Sequence, residues 1–483
     1  MRTYEELTGA RGSRVFYRAE RFRARDLFAR TPPLVAFGDT YFQLDNLSMT
    51  GLAATRKGGV SLTRHAADDV AIIFEGDNKP LFSSKGRLER LERDPAATRI
   101  ALSFTGAPLD IPELVCRYNE SLLRRDLNGG LHHAVESVAP DYRRHCVDVL
   151  HLLRRYRSTL EQFENNPATG PDRSESLFDL CEQRMLPEWR QLWRAGNELV
   201  RPLVDEPELM QAAKDYTEQV LTPDFLAGPL WDHSYRKPFG YPGDFQLMGY
   251  VYDWRPRGKT VYEKLLDRMG LELLECIATR MMMVQQEIAH LVAAAAPSRR
   301  PFRILNLGCG SAREISNYLD QAELPCPVEI TLVDQDERAL SHAYEQSYPK
   351  IMNRGDGSSL RCLQISFVEF LKFGRIFQSL PPQDFIYSMG LMDYLTLDRA
   401  RCLATAIYAK LAPGARMVIG NIADVPEGLF WPSEFISDWS MRFRTEADLL
   451  AMTGGISETA PRIVPDPTGK FYLIYIDKLA VVE

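Results

Sequence analysis

Short apolar segments alternate with helical segments from residue 302 to the end of the chain. The apolar segments are FRILNLG, VEITLVDQ, LRCLQIS, DFIYSMG, ARMVIGN and KFYLIYIDKLA, and helical segments between them are AREISNYLDQA, ERALSHAYEQS and RARCLATAIYAKLA. Such alternation predicts a doubly wound α/β domain, a mainly parallel sheet with helices on both faces. In sheets of this type a ligand binds at the carboxyl ends of the strands.

Two regions of different character precede this α/β region. Residues 1–114 contain short strands, as in PLVAFGDTYFQLDNLS, where a Gly-Asp turn separates two of them, and they predict an antiparallel β-barrel. Residues 115–295 have apolar residues at helical spacing and predict a central α-helical domain. We therefore predict three domains, at 1–114, 115–295 and 296–483.

Composition argues against several functional classes. The 483 residues carry a net charge of −7, so no general nucleic-acid surface is expected. No apolar run reaches the length of a membrane span, and Met1 leads into a polar segment rather than a signal peptide. The eight cysteines include no C-x-x-C pair and no zinc spacing, so we expect reduced thiols, no metal site and a cytoplasmic location. The sequence leaves the oligomeric state open.

The turn after the first strand of the α/β region has the composition of a nucleotide site. In RILNLGCGSAREI, Gly308 and Gly310 lack a Cβ and allow the backbone to approach a ligand closely. The next strand ends in Asp334, whose carboxylate can accept both hydroxyls of a ribose. Arg313 stands where a dinucleotide fingerprint has its third glycine. Together these features predict a nucleotide cofactor, with an NAD or sugar-nucleotide domain as the alternative.

The order of these elements resembles class I S-adenosylmethionine-dependent methyltransferases over residues 296–483. The resemblance implies that Asn306, Gly308 and Gly310 line the methionine and ribose side of the cofactor. It also implies that Asp334 holds the ribose and that Phe367 lies near the adenine. The sequence departs from the family at Asn306, where an acid is commoner, and at Ala312, where a third glycine is commoner.

Several phrases resemble a narrower group, the bacterial fatty-acid methyltransferases that make 3-hydroxy fatty acid methyl esters. The phrases are GYPGD, LGCGSAREI, GLMDYL, GNIADVPEG and EFISDWSMRFRTEADL. The resemblance implies an O-methyltransferase that acts on the carboxylate of a 3-hydroxy fatty acid. A carboxylate is ionised near neutral pH, with a reference pKa near 4, so the reaction needs no general base.

Four residues are candidates for the catalytic site. Asp393 and Tyr394 follow the fourth strand, where this fold presents groups to substrate, and the alternative is a cap for the next helix. Tyr241 lies in the Gly/Pro-rich segment PFGYPGDF, which predicts a cover over the site or a tight connection. Arg313 opens a helix, where a cation is unfavourable, so we expect it to face a carboxylate, that of the cofactor or of Glu314, with a solvated side chain as the alternative. His233 and Arg236 precede the segment PFGYPGDF and are candidates to meet the substrate carboxylate, and Asn421 is a candidate to bond substrate or backbone. Candidates for a lid are Glu434, Trp439 and Arg444, with packing and salt bridges as the alternative.

The N-terminal region also resembles a known module. RFRAR places Arg21 and Arg25 in an R-x-x-x-R pattern, and NLSMTG places Asn46, Ser48 and Gly51 in a [D/N]-x-S-x-x-G pattern. These motifs and the later strands are similar to PilZ domains, which bind cyclic di-GMP. The resemblance implies that the two arginines clamp phosphates and stack on guanine. It implies that Asn46 and Ser48 bond a guanine edge and that Gly51 permits close approach.

Two alternatives stay open for this module. RVFYR places a second R-x-x-x-R pattern at Arg14 and Arg18, although Arg21 and Arg25 stand closer to the strand at Pro33. The barrel can also serve only as a docking face. The sequence as a whole predicts a bacterial methyltransferase regulated by cyclic di-GMP, with the sign of regulation open. The alternative functions are an inactive, second-messenger-responsive interaction protein and a methyltransferase for another small molecule.

Overall fold

The computed structural model describes residues 5–8, 14–17, 21–28, 32–58, 62, 66–74, 80–93, 97–128, 137–164, 171–295, 300–320, 324–365 and 380–480. The chain forms two compact units, Met1–His133 and Ala134–Glu483. Within the described part of the chain, no helix combines the length and the apolar character needed to cross a membrane.

The first unit is built around an antiparallel barrel. Its elements are β1 (Glu5–Thr8), β2 (Arg14–Tyr17), β3 (Phe22–Arg23), α1 (Ala24–Leu27), β4 (Leu34–Phe37), β5 (Thr40–Ser48), β6 (Gly51–Lys57), β7 (Ala67–Ile73), β8 (Phe82–Arg93), β9 (Ala97–Phe104) and α2 (Ile111–Asn128). Among the described residues, six strands pair in the order β5-β4-β7-β8-β9-β6, and β6 pairs back onto β5 to close the barrel. Leu44, Leu52 and Leu102 belong to its buried core.

The second unit begins with the helices of the middle region. They are α3 (Pro140–Glu164), α4 (Pro171–Val200), α5 (Pro207–Val220), α6 (Thr222–Phe225), α7 (Pro229–Arg236), α8 (Phe245–Asp253), α9 (Val261–Leu273) and α10 (Glu275–Ala295). Their apolar faces explain the helical spacing in the sequence, and Trp189 of α4 and Trp231 of α7 are among the largest fully buried side chains.

A mostly parallel sheet follows these helices. Its strands are β10 (Phe302–Leu307), β11 (Val328–Asp334), β12 (Ser359–Gln364), β13 (Gln383–Ser388), β14 (Leu411–Ile422), β15 (Arg462–Pro465) and β16 (Phe471–Asp477). The helices are α11 (Arg313–Leu319), α12 (Glu337–Arg354), α13 (Leu397–Tyr408) and α14 (Glu446–Thr453). The strand order is β12-β11-β10-β13-β14-β16-β15, and β16 is antiparallel to both of its neighbours.

The two faces of this sheet pack against different helices. Because side chains alternate along a strand, Ile304 of β10 joins a core that contains Trp189 and Trp231. Its neighbour Leu305 joins a second core with Leu403 of α13. The middle helices therefore pack on one face of the sheet, together with α11 and α12, and belong to the same compact unit as the sheet.

The predicted fold class is confirmed: an antiparallel barrel, a helical middle region and a mostly parallel α/β sheet. The C-terminal sheet is mixed but mostly parallel, since β16 runs antiparallel to its neighbours β14 and β15. The assignment of the barrel to the PilZ family stays a prediction.

Candidate active site

The turn between β10 and α11 has backbone angles that suit glycine. Gly308 and Gly310 have φ values of +65° and +51°, in the left-handed region that residues with a Cβ rarely adopt. Ala312 follows with φ +44°, a conformation that costs about 1–2 kcal/mol for such a residue. The N–H groups of Gly308 and Cys309 donate to the Val333 carbonyl at 2.8 and 3.1 Å. The turn is therefore fixed against the end of β11.

Asp334 ends β11 beside this turn. Its Oδ2 accepts the Gly310 N–H at 2.9 Å, and its Oδ1 accepts the Asp336 N–H at 3.0 Å. The side chain is buried, and burial raises the pKa of the carboxyl above its ordinary value. Each carboxylate oxygen has a further acceptor position. Asp334 can therefore hold the turn and accept hydrogen bonds from a ligand at the same time.

A pocket of about 280 Å³ lies at the carboxyl ends of β10, β11 and β13, close to the size of small-molecule sites. Six residues singled out in the sequence as catalytic or cofactor-binding line it: Tyr241, Gly308, Gly310, Asp334, Asp393 and Tyr394. Much of the remaining wall is apolar, with Met248, Ile277, Met389, Leu391, Leu429 and Met441. The pocket lies where doubly wound sheets bind their ligands.

Asn306 is not among the described residues that line this pocket. Its Nδ2 donates to Glu314 Oε1 at 3.0 Å, and Tyr387 Oη donates to the same oxygen at 2.7 Å. Burial raises the pKa of the Glu314 carboxyl. Asn306 therefore satisfies a buried acid, and its contact with a cofactor stays a prediction. Phe367, predicted near the adenine, lies outside the described residues.

Arg313 opens α11 and pairs with Asp253 at the end of α8. Its Nη2 donates to Asp253 Oδ1 at 3.1 Å, and its side chain is 38% exposed. The carboxylate that Arg313 contacts is thus Asp253, whereas the carboxylates expected from the sequence were those of the cofactor and of Glu314. Arg313 is not among the described residues that line the pocket, so its catalytic role stays a prediction.

Asp393 and Tyr394 lie in a short 3-10 turn after β13. Asp393 Oδ1 accepts the Ile422 N–H at 2.7 Å, and burial raises the pKa of this carboxyl to about 6. Tyr394 Oη accepts the Trp439 Nε1–H at 3.0 Å, which leaves its own O–H as a donor. The N-cap position of α13 is Thr396 rather than Asp393. The pocket wall thus combines an acid that titrates near neutral pH with an oriented tyrosine.

Arg444 holds the turn that carries these two residues. Its guanidinium is buried and donates to the Met392 carbonyl at 2.8 Å, to the Leu395 carbonyl and to Asn421 Oδ1. Arg444, a lid candidate, therefore fixes this turn, and Asn421, a candidate for bonding substrate or backbone, binds Arg444 and the Ile422 and Arg442 carbonyls.

Arg280 of α10 lines the pocket and was missed in the sequence analysis. It is only 8% exposed, its Nη1 lies 3.9 Å from Asp393 Oδ2, and its guanidinium lies 4.5 Å from the ring centre of Phe471. One signal was present in the sequence. In CIATRMMMV an arginine stands among apolar residues of a helix, and a buried charge requires a partner.

The segment before α8 closes another side of the pocket. Tyr241 Oη donates to Asp336 Oδ2 at 3.0 Å, and burial, with the nearby acids, raises the pKa of this phenol far above its ordinary value. Asp244 accepts two N–H groups from the first turn of α8 and lies 2.7 Å from His233 Nε2. The segment is therefore anchored at Tyr241 and Asp244, and the choice between a cover and a tight connection stays a prediction.

In the first unit, Arg21 and Asn46 are brought together. Arg21 Nη1 donates to Asn46 Oδ1 at 2.5 Å. Ser48 is buried, and its Oγ donates to the Gly51 carbonyl at 3.1 Å. A Cβ at Gly51 would lie 2.3 Å from the Leu102 carbonyl oxygen, so the approach of β6 to β9 requires this glycine whether or not a ligand binds.

The other arginines of the two R-x-x-x-R patterns are described only in part. Arg25 belongs to α1 and Arg14 to β2. Their side chains, and all of Arg18, lie outside the described part of the chain. The choice between the two pairs stays a prediction.

No protein-family model and no curated protein sequence matches this chain. A possible exported protein from Bordetella parapertussis is similar in structure over 71% of this chain and 99% of its own, with 16% identity and a TM-score of 0.38. Magnesium protoporphyrin IX methyltransferase from Synechocystis, with bound S-adenosylhomocysteine, is similar over 52% of this chain and 98% of its own, with 10% identity and a TM-score of 0.34.

The N-methyltransferase NodS from Bradyrhizobium japonicum, in complex with S-adenosylhomocysteine, is similar over 41% of this chain and 86% of its own, with 14% identity and a TM-score of 0.29. At these identities and TM-scores we draw nothing further from the similarities. We base the functional proposal on the pocket.

Proposed function

We propose that this protein is an S-adenosylmethionine-dependent methyltransferase. The observation that supports this most is the pocket in which the Gly308–Gly310 turn, the Asp334 carboxylate and an apolar wall meet. The carboxylate suits the hydroxyls of a ribose, and the turn allows close approach of the nucleotide. The apolar wall would exclude water around the sulfonium methyl group.

Calorimetric titration of the full-length protein with S-adenosylhomocysteine tests this proposal. We expect binding, and we expect Asp334→Ala to weaken it at least tenfold, since hydrogen bonds to a charged group contribute about 1.5–3 kcal/mol each. Asp320→Ala removes an exposed carboxylate 2.7 Å from Lys350 Nζ and should leave the affinity unchanged. A folded wild-type protein without affinity for this ligand would favour the alternative of an inactive, second-messenger-responsive interaction protein.

For the methyl acceptor, we propose the carboxylate of a medium or long 3-hydroxy fatty acid. The resemblance in sequence motivates this choice. Tyr394 supports it with an O–H donor at the pocket wall, and Met248 and Ile277 of the middle helices offer an apolar surface to an acyl chain. The protein would hold the carboxylate oxygen in line with the sulfonium methyl and keep water out, without removing a proton.

Asp393 supports a competing acceptor, a hydroxyl group, because a carboxyl whose pKa lies at about 6 suits a general base. The two products from 3-hydroxydodecanoic acid, a methyl ester and a methyl ether, are isomers of equal mass. Mass spectrometry before and after mild alkaline hydrolysis separates them, since only the ester returns to the starting acid. For carboxylate transfer we expect a rate that is flat above the pKa of the substrate itself. A rate that rises through about pH 6, and that Asp393→Asn abolishes, would favour the hydroxyl.

We also propose cyclic di-GMP as a regulatory ligand of the barrel, bound by Arg21, Arg25, Asn46 and Ser48. The hydrogen bond between Arg21 and Asn46 supports this, since it joins the two sequence motifs. Titration of the full-length protein with cyclic di-GMP should show binding, and Arg25→Ala should abolish it while Arg14→Ala does not. The reverse result would move the site to the other arginine pair, and no binding at all would leave the barrel as a docking face.

A further inference from the structure

Arg280 is a buried cation whose neighbours leave most of its hydrogen-bonding capacity unused. Its side chain is 8% exposed, and a guanidinium offers five N–H donors. Among the described residues, Nε has no hydrogen-bond partner, and the carboxylate within 4 Å is that of Asp393, with Oδ2 at 3.9 Å from Nη1. The charge of Arg280 also acts on the buried Glu314 carboxyl, which is bonded to Asn306 and Tyr387. Two charges attract at this distance, but the separation is too long for a hydrogen bond.

The groups around the Arg280 guanidinium are an acid that has another hydrogen bond, an aromatic ring and the backbone. Asp393 is held by the Ile422 N–H, which donates to its Oδ1 at 2.7 Å. The ring of Phe471 lies 4.5 Å from the guanidinium carbon. A Cβ at Gly390 would lie 3.3 Å from Nη2, so the guanidinium also abuts the backbone after β13. The pocket, which Arg280 lines, is where a further partner can enter.

We propose that Arg280 is the carboxylate-binding residue of this pocket, and that a ligand carboxylate completes its pairing in the bound state. This inference rests on the proposed methyltransferase function. A guanidinium and a carboxylate form two parallel N–H···O bonds, and a buried cation is costly until such a partner is present. Two ligands bring a carboxylate to the site, the amino-acid end of the cofactor and the fatty acid acceptor, and the binding chemistry is the same.

Two pairs of ligands, each differing only in the carboxylate, test the proposal on the full-length protein. The first pair is S-adenosylhomocysteine and its decarboxylated analogue. The second is 3-hydroxydodecanoate and 3-hydroxydodecanamide, titrated in the presence of saturating S-adenosylhomocysteine. In one of the two pairs, we expect Arg280→Met to weaken binding of the ligand that has the carboxylate at least tenfold more than binding of the ligand that lacks it. The pair that responds identifies the source of the carboxylate.

Comparison within a pair separates recognition from folding, because a general loss of structure weakens both ligands alike. Arg280→Lys keeps the positive charge but lacks the two parallel N–H donors of a guanidinium. It should therefore restore only part of the preference for the carboxylate ligand. Arg401→Met, at an exposed arginine that donates to the Gly454 carbonyl, is the control. It should leave unchanged, in both pairs, the ratio of the affinity for the carboxylate ligand to the affinity for its counterpart. If wild type binds S-adenosylhomocysteine and Arg280→Met alters neither ratio, the inference is overturned and the proposed function stands. If wild type does not bind it, both are overturned.

Discussion

Burial raises the pKa of Asp393 to about 6, although Arg280 lies 3.9 Å away and the Ile422 N–H donates to the carboxylate. In the unfolded chain the same carboxyl has a pKa near the reference value of about 4. The folded state therefore binds the proton more tightly than the unfolded state. The contribution of Asp393 to folding stability is fully present below about pH 4 and is lost as the pH rises through about 6.

Asp393→Asn removes this titration, so we expect the stability of the variant relative to wild type to rise with pH. Over the full interval the rise amounts to about 3 kcal/mol. The pKa of about 6 already includes the attraction of Arg280, whose guanidinium stays charged throughout, so the exchange of a neutral carboxyl for an amide adds only an offset without a slope. Urea unfolding at about pH 4.5, 6 and 7.5 measures the difference, with the exposed Asp320→Asn as the control. A difference that is flat or that falls with pH contradicts the role given to burial.

A substitution in the turn after β10 can distinguish the cost of backbone strain from an effect on ligand binding. Gly310 has φ +51°, and a Cβ there would meet no atom within 4 Å. We expect Gly310→Ala to cost about 1–2 kcal/mol in stability, and to reduce the affinity for S-adenosylhomocysteine more than tenfold by placing a methyl group in the pocket. Gly355→Ala, after α12 at φ +64° and also in open space, is the matched control. It should cost similar stability and leave the affinity unchanged, so equal losses of affinity would count against the site.

The 3-10 turn after β13 depends on Arg444, whose guanidinium donates to the Met392 and Leu395 carbonyls. Arg444→Met leaves these buried acceptors without their charged donor, so we expect a loss of about 3 kcal/mol in the free energy of unfolding. Arg442→Met, two residues away and exposed, should stay within about 0.5 kcal/mol of wild type. Chemical unfolding measures the free energy of unfolding of the two variants. Similar losses of stability at both positions would show that Arg444 does not hold the turn.

The whole molecule shows which features the sequence could predict and which it could not. The Gly308–Gly310 turn and Asp334 follow from strand periodicity, and they meet at one pocket because neighbouring parallel strands end at the same edge of the sheet. Local pattern is sufficient for such residues. Arg280 could not be placed in this way, since its neighbours Asp393 and Phe471 come from distant parts of the chain.

The contacts of two predicted site residues, Asn306 and Arg313, also depend on tertiary packing. Asn306 is expected at the site from the resemblance to class I methyltransferases, and Arg313 from the unfavourable position of a cation at a helix start, and both stay predictions. In the structure their side chains contact Glu314 and Asp253. The partner of Arg313 lies on α8, in the middle region, and no local pattern links the two. Position along an element predicts where a backbone lies, whereas the partner of a side chain depends on tertiary packing.

The sheet and the middle helices bury one another, which bears on the domain limit predicted at 295/296. One core contains Trp189 of α4 and Trp231 of α7 together with Ile304 and Tyr387 of the sheet. A chain of residues 296–483 would keep α11 and α12 on this face but would expose the apolar surface that the middle helices bury, at a cost of about 25 cal/mol for each Å². We therefore expect 296–483 to aggregate or stay unfolded when expressed alone.

Residues 134–483, which form one compact unit, should by contrast fold and bind S-adenosylhomocysteine with the affinity of the full-length protein. Circular dichroism with urea unfolding, followed by titration of the ligand, compares the two truncated chains under the same conditions. Cooperative unfolding of 296–483 would make the α/β region an independent domain, as the alternation of strands and helices in its sequence predicts. It would also mean that the shared core contributes less to stability than its burial implies. Failure of 134–483 to fold would instead contradict the division of the chain into two compact units, because a unit with its own buried core requires no other part of the chain to fold.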